Sequence, residues 1–137
     1  MVLDCLGHKI SSVNGDSGIY TENSLTNITI INCTIEFFDY GIEFSNVQNG
    51  TIKQCIFINN SKNGIYFFNV SNISVFSNRF VNGSIGLVGS AKESMIFQNN
   101  FSGVVESIYL YSVPPFFMSA NNTIFDNKFM DVPLAER

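Results

Sequence analysis

The stretch NITIINCTIEFFDYGIEF, residues 27–44, reads as strand, turn, strand, turn, strand, with no room for a helix. Two further stretches, NGTIKQCIFINNSKNGIYFF (49–68) and NISVFSNRFVNGSIGLV (72–88), say nearly the same thing again. The chain therefore repeats one short structural unit, and the unit decides the fold.

Aligning NITIINCTIEF with NGTIKQCIFIN, NISVFSNRFVN, ESMIFQNNFSG and NNTIFDNKFMD makes the columns hold. Ile30, Ile52, Val75, Ile96 and Ile124 form one column, at spacings of 22, 23, 21 and 28. Ile35, Phe57, Phe80, Phe101 and Phe129 form another, which LDCLGHKI (3–10) joins through Ile10. A second anchor follows each unit: Gly18-Ile19, Gly41-Ile42, Gly64-Ile65, Gly86-Leu87 and, without the glycine, Ser107-Ile108. Two anchors that drift together make a chance alignment untenable.

A period of this length has a specific physical meaning. At ~3.3 Å per residue, a unit of strands and bends goes once around a closed path and returns ~4.8 Å higher, the spacing of paired strands. The fold class is thus all-β, a parallel β-helix of about six coils of 21–25 residues, forming a single domain over residues 1–137. Strand alternation sends the Ile30 column inward and Thr29, Thr51, Ser74 and Thr123 outward. The column Cys33, Cys55, Asn78, Asn99, Asn127 falls at a bend. There Asn tolerates left-handed backbone and bonds to the Asn stacked above it, and Cys is a small apolar substitute. The three cysteines, an odd number without paired C-x-x-C spacing, read as core residues.

Composition excludes other classes. A net charge of −4 with only seven Lys and Arg, scattered, argues against nucleic acid as a partner. No apolar run approaches the ~20 residues of a membrane span, and MVLDCLGHKI lacks the pattern of a signal peptide.

LDCLGHKI, NITIINCTI and DYGIEF resemble the right-handed parallel β-helix repeats of the NosD-like and carbohydrate-binding/sugar-hydrolase (pectate-lyase-like) class, over roughly residues 3–131. The resemblance rests on positions that build the coil, so it implies the fold more strongly than any activity. It also suggests chemistries to weigh. NosD is an accessory of copper-site maturation, and His8, Cys33 and Cys55 fall in one column of soft ligands; the plainer reading makes the cysteines buried fillers. Glycan hydrolases and lyases of this class display carboxylates on outward positions, as Glu22, Glu36, Asp39 and Glu43 would be, but their paired-Asp and Asp-Pro-His motifs are not found. Asp39 aligns one coil below Lys62 and reads as a surface ion pair.

The third strand of each coil is more suggestive. With Ile19, Ile42, Ile65, Leu87 and Ile108 inward, Tyr20, Glu43, Tyr66, Val88 and Tyr109 point outward, flanked by Phe68 and Tyr111. Flat rings that stack on pyranoses, with polar tips for hydroxyls, suit a sugar-binding face; packing of a loop or another chain is the competing explanation. A second outward column, Phe76, Phe97, Phe125, reads as a docking surface.

The sequence therefore predicts a non-catalytic structural or carbohydrate-binding module of a surface or secreted protein, with a polysaccharide or cell-surface glycan as partner and no cofactor. A polysaccharide-active enzyme and a copper-handling protein are the alternatives. YSVPPFFMSANN breaks the period and predicts an irregular insertion around residues 112–120, and SSVNGDSG a smaller bulge in the first coil. Open coil edges call for self-association or continuation of the β-helix in a longer chain. Nine N-x-S/T sequons, at Asn27, Asn32, Asn49, Asn59, Asn69, Asn72, Asn82, Asn100 and Asn121, follow largely from the repeat itself.

Overall fold

Each repeat closes into one coil because the chain bends at left-handed residues between short straight runs. A computed structural model describes residues 1–115 and 117–130, Asn14 by its backbone alone. Its strands are β1 (Val2–Asp4), β2 (Lys9–Tyr20), β3 (Leu25–Ile31), β4 (Thr34–Ser45), β5 (Val47–Lys53), β6 (Ile56–Phe76), β7 (Arg79–Lys92), β8 (Met95–Phe97), β9 (Asn100–Leu110), β10 (Thr123–Phe125) and β11 (Lys128–Met130). All strand pairings among them are parallel. No helix long and apolar enough to cross a membrane occurs among the described residues.

The register reproduces the columns of the sequence. Leu3, Ile30, Ile52, Val75, Ile96 and Ile124 stand in line on the first face. Ile10, Ile35, Phe57, Phe80, Phe101 and Phe129 do so on the second, and Ile19, Ile42, Ile65, Leu87 and Ile108 on the third. The stack makes five complete turns and opens a sixth. In the interior turns these inward side chains are almost wholly buried. Phe57, Phe80 and Phe101 stack face to face with centroids 4.8 and 4.6 Å apart, close to the rise of one coil.

The corners explain both the asparagines and the sequons. Seventeen non-glycine residues have positive φ, ten of them Asn, in four columns that mark the corners of successive coils. Asn is the L-residue that adopts this conformation most readily, since its short amide bonds locally. Eight of the nine sequon asparagines, all but Asn100, have φ between 52° and 58°. The sequons thus arise because a left-handed Asn is followed two residues later by an outward Ser or Thr.

At the bend after the first face the inner ladder runs as expected from the sequence. The Asn78 amide donates to Asn99 Oδ1 (3.1 Å) and that of Asn99 to Asn127 Oδ1 (3.1 Å), while Cys55 N donates to Asn78 Oδ1 (2.9 Å). Each buried Asn also donates to a carbonyl of the adjacent coil on the other side, Ile52 for Asn78 and Val75 for Asn99. A buried amide that is satisfied on every side fixes the register of its coil.

The cysteines depart from expectation. Cys5 and Cys33 form a disulfide, and only Cys55 is a free buried thiol. The first bend holds four residues, between Asp4, paired with Ile31, and Lys9, paired with Thr34. The bend above it holds only Asn32 and Cys33, and the two extra residues let Cys5 reach the neighbouring coil.

Both irregular segments fall where the sequence places them. Three residues of β2, Ser12 to Asn14, oppose the single Phe37 of β4. In the later excursion Val113 and Phe117 pair antiparallel, and Ala120 rejoins the stack beside Lys92. Ser119 Oγ closes its base, donating to Tyr111 O and accepting from Ala91 N.

Two positions test this account. A Cβ on Gly64 would lie 2.7 Å from both the Gly86 carbonyl oxygen and the Phe80 ring, so the glycine anchor exists to let coils and phenylalanines close up. Gly64→Ala is expected to cost about 1–3 kcal/mol, read as a fall in thermal midpoint. Phe37, with φ 64° and 47% exposure, occupies the corner column of Asn59 and Asn82 with the wrong residue type. Phe37→Asn should raise stability by about 1 kcal/mol in denaturant titration.

Candidate functional site

The third face carries an aromatic belt. Tyr20, Glu43, Tyr66, Val88 and Tyr109 pair in successive coils as one outward column. Tyr20 and Tyr109 are 55% and 51% exposed, and Phe68 is 43% exposed. The Tyr66 hydroxyl lies 3.4 Å from that of Tyr111, two coils along, and Val88 between them is nearly buried. Burial, followed by the Tyr111 hydroxyl, pushes the Tyr66 phenol far above its ordinary pKa, so the ring stays a neutral platform. Tyr109 and Tyr111 lie 5.8 Å apart at a tilt of 40°.

Tyr40 extends the belt, its centroid 5.5 Å from that of Tyr66. Alternation carried back from Ile42 assigns Tyr40 to the interior. The bend at Gly41 breaks that alternation, because a Cβ there would also point at the core ring of Phe57. Lys62 sits over Tyr40, 5.4 Å from the ring centroid, and pairs with Asp39 at 3.3 Å. The ion pair read from the sequence is therefore present. Hydrogen bonds from Ser61 and then Lys62 hold the Asp39 carboxyl below its usual value, and the Asp39 hydrogen bond raises Lys62.

Where the belt meets the first coil, Asp16, Ser17, Tyr20 and Glu43 line an open concavity of about 460 Å³. Ser17 Oγ donates to Glu43 Oε2, which engages one of the two carboxylate oxygens of this groove-lining residue. Asp16 and Ser17 sit in the bulged first coil, beyond the regular columns, and column reasoning passes over them.

The four acidic candidates are separately engaged. Glu36 is nearly buried and bonded to Lys9 (3.0 Å) and Ser11 (3.3 Å), Asp39 is held by Ser61 and Lys62, Glu43 by Ser17, and Glu22 is exposed. The soft-ligand column is corrected outright. The sulfur of Cys33 is bonded to Cys5, Cys55 is buried, and His8 is exposed, so the three do not form a ligand set. Among the described residues no three His, Cys, Asp or Glu side chains converge on a metal position.

On the first face the outward Phe76, Phe97 and Phe125 stack at 4.9 Å with nearly parallel rings, and Lys53 caps the row 5.8 Å from Phe76. This row is apolar apart from the Lys53 that caps it.

Comparison with known proteins agrees with the coil. The family model of the right-handed β-helix region matches residues 5–133. The chain belongs to the right-handed β-helix family. No curated protein and no solved structure matches the chain. The family match covers nearly the whole stack of coils and so speaks to architecture, leaving the third face to be read from its own chemistry.

Burial raises the Cys55 thiol to about 11. The oxidised native protein is therefore expected to resist iodoacetamide at pH 8 and to take up one equivalent when unfolded without reductant, as counted by mass spectrometry.

Proposed function

We propose that this β-helix is a non-catalytic carbohydrate-binding module of a surface or secreted protein, with the third face as its glycan platform. The observation that carries the reading is the column of Tyr20, Glu43, Tyr66 and Tyr109, which sets two exposed rings and one half-buried ring in register along one face beside a polar groove. Strand spacing places successive coils ~4.8 Å apart, so Tyr20 and Tyr66 lie about 10 Å apart and Tyr66 and Tyr109 the same again. That span suits an extended chain of sugar rings, each presenting an apolar face to a ring and hydroxyls to the phenol and carboxylate groups. The Tyr66 platform is held in place by Tyr40 and Tyr111, so little side-chain freedom is lost on binding.

The Cys5–Cys33 disulfide supports an extracellular setting, since such bonds persist in oxidising compartments. The separate engagement of Glu36 and Asp39 by their own partners favours binding over turnover, because neither carboxylate is free to act with the other.

Co-sedimentation with insoluble polysaccharides tests the reading. Tyr20→Ala and Tyr109→Ala should each weaken retention about five- to tenfold, while Phe125→Ala on the first face leaves it unchanged. All three side chains are exposed, so thermal midpoints should move little. Failure of every polysaccharide to retain the wild type would refute the platform.

A further inference from the structure

The charges are divided unevenly around the coil, and the division bears on which glycan fits. Asp16 and Glu43 line the groove on the third face, Asp39 lies beside Tyr40 in the next concavity, and Glu106 lies further along the same face. Lys62 is the cation of that face among the described residues, and it is taken by Asp39, with Asp16 close enough to raise its pKa as well. The remaining described cations stand elsewhere: Lys53 on the first face, Lys9, Arg79 and Lys128 on the second, and Lys92 against Phe117 at the corner beyond.

At the groove itself the imbalance is sharper. Its lining contains two carboxylates, a serine hydroxyl and one exposed tyrosine. Ser17 donates to only one oxygen of Glu43, and no Lys or Arg is among the residues that line the groove, Lys62 beside it being held by Asp39. A carboxylate accepts hydrogen bonds and donates none, so the groove welcomes ammonium or hydroxyl groups and repels acidic ones.

Resting on the platform reading, we propose that Glu43 and Asp16 make this face selective for glycans bearing amino groups, over neutral glycans and against acidic ones. Tyr20 stacks on the sugar ring, and the Glu43 carboxylate receives the amino substituent as a charge-assisted hydrogen bond. An acidic polymer stacked on the same rings brings its carboxylates alongside Glu43 and Asp16 without a counter-charge.

The test is retention of the oxidised protein at pH 6 and low salt on chitosan beads, cellulose, and polygalacturonate coupled to agarose. The expected order is chitosan, then cellulose, then polygalacturonate. Glu43→Gln should reduce the preference for chitosan over cellulose about three- to fivefold and increase retention on polygalacturonate, with both effects shrinking above about 0.5 M salt. Glu93→Gln changes net charge equally at an exposed corner off this face and should leave the preference unchanged. Equal shifts from the two variants would assign the selectivity to net charge and overturn the proposal. Tighter retention on polygalacturonate than on cellulose would overturn it while leaving the platform standing. Retention on none of the three would remove both.

Discussion

A coil of about 22 residues can close only if the chain turns sharply several times per circuit without abandoning buried backbone groups. The left-handed corner residue is what permits this. Ten asparagines, with Leu, Phe, Gln, Ser, Asp and Glu at further corners, adopt positive φ there, and at most interior corners the following residue, such as Ile28, Cys33, Val47, Cys55, Val70 or Ile73, is buried. Everything else follows from the corners being in register. The aliphatic and phenylalanine columns stack because each coil turns at the same places as the one before, and the inner Asn ladder of Asn78, Asn99 and Asn127 locks the most buried corner. The third face is regular for the same reason, since its residues pair in register from one coil to the next.

The function proposed for that face depends on this register. A single exposed tyrosine on a loop recognises little, whereas tyrosines brought to a fixed spacing by strand pairing form a surface with a repeat of its own. The coil thereby converts a 22-residue sequence period into a row of rings two coils apart, a distance that belongs to the backbone and not to the side chains. The β-helix family match, which covers residues 5–133, describes the scaffold that makes such rows available.

What was legible in the sequence was whatever repeats. Columns such as Ile30 to Ile124 and Tyr20 to Tyr109 could be read because each residue has counterparts one period away, and the Asp39–Lys62 pair because both lie in regular coils. What could not be read lies where the period fails. The Cys5–Cys33 bond depends on two additional residues in the first bend, which displace Cys5 from any column. Asp16 and Ser17 directly follow the bulge of the same coil, and Tyr40 sits beside a glycine that breaks alternation. The groove end of the site was hidden for one physical reason: it is built by the least regular turn of the stack.

The disulfide has a consequence for how the molecule comes apart. In a one-dimensional stack each coil is held mainly by its neighbours, so unravelling starts from the outermost turns and travels inward. Cys5–Cys33 fastens the first turn to the second covalently across 28 residues, and that turn carries Asp16, Ser17 and Tyr20. Opening from that side must therefore either begin behind the staple or carry two coils together. The most irregular turn, and the one that shapes the groove, is kinetically protected, and the order of disassembly is biased toward starting at the opposite side of the described stack.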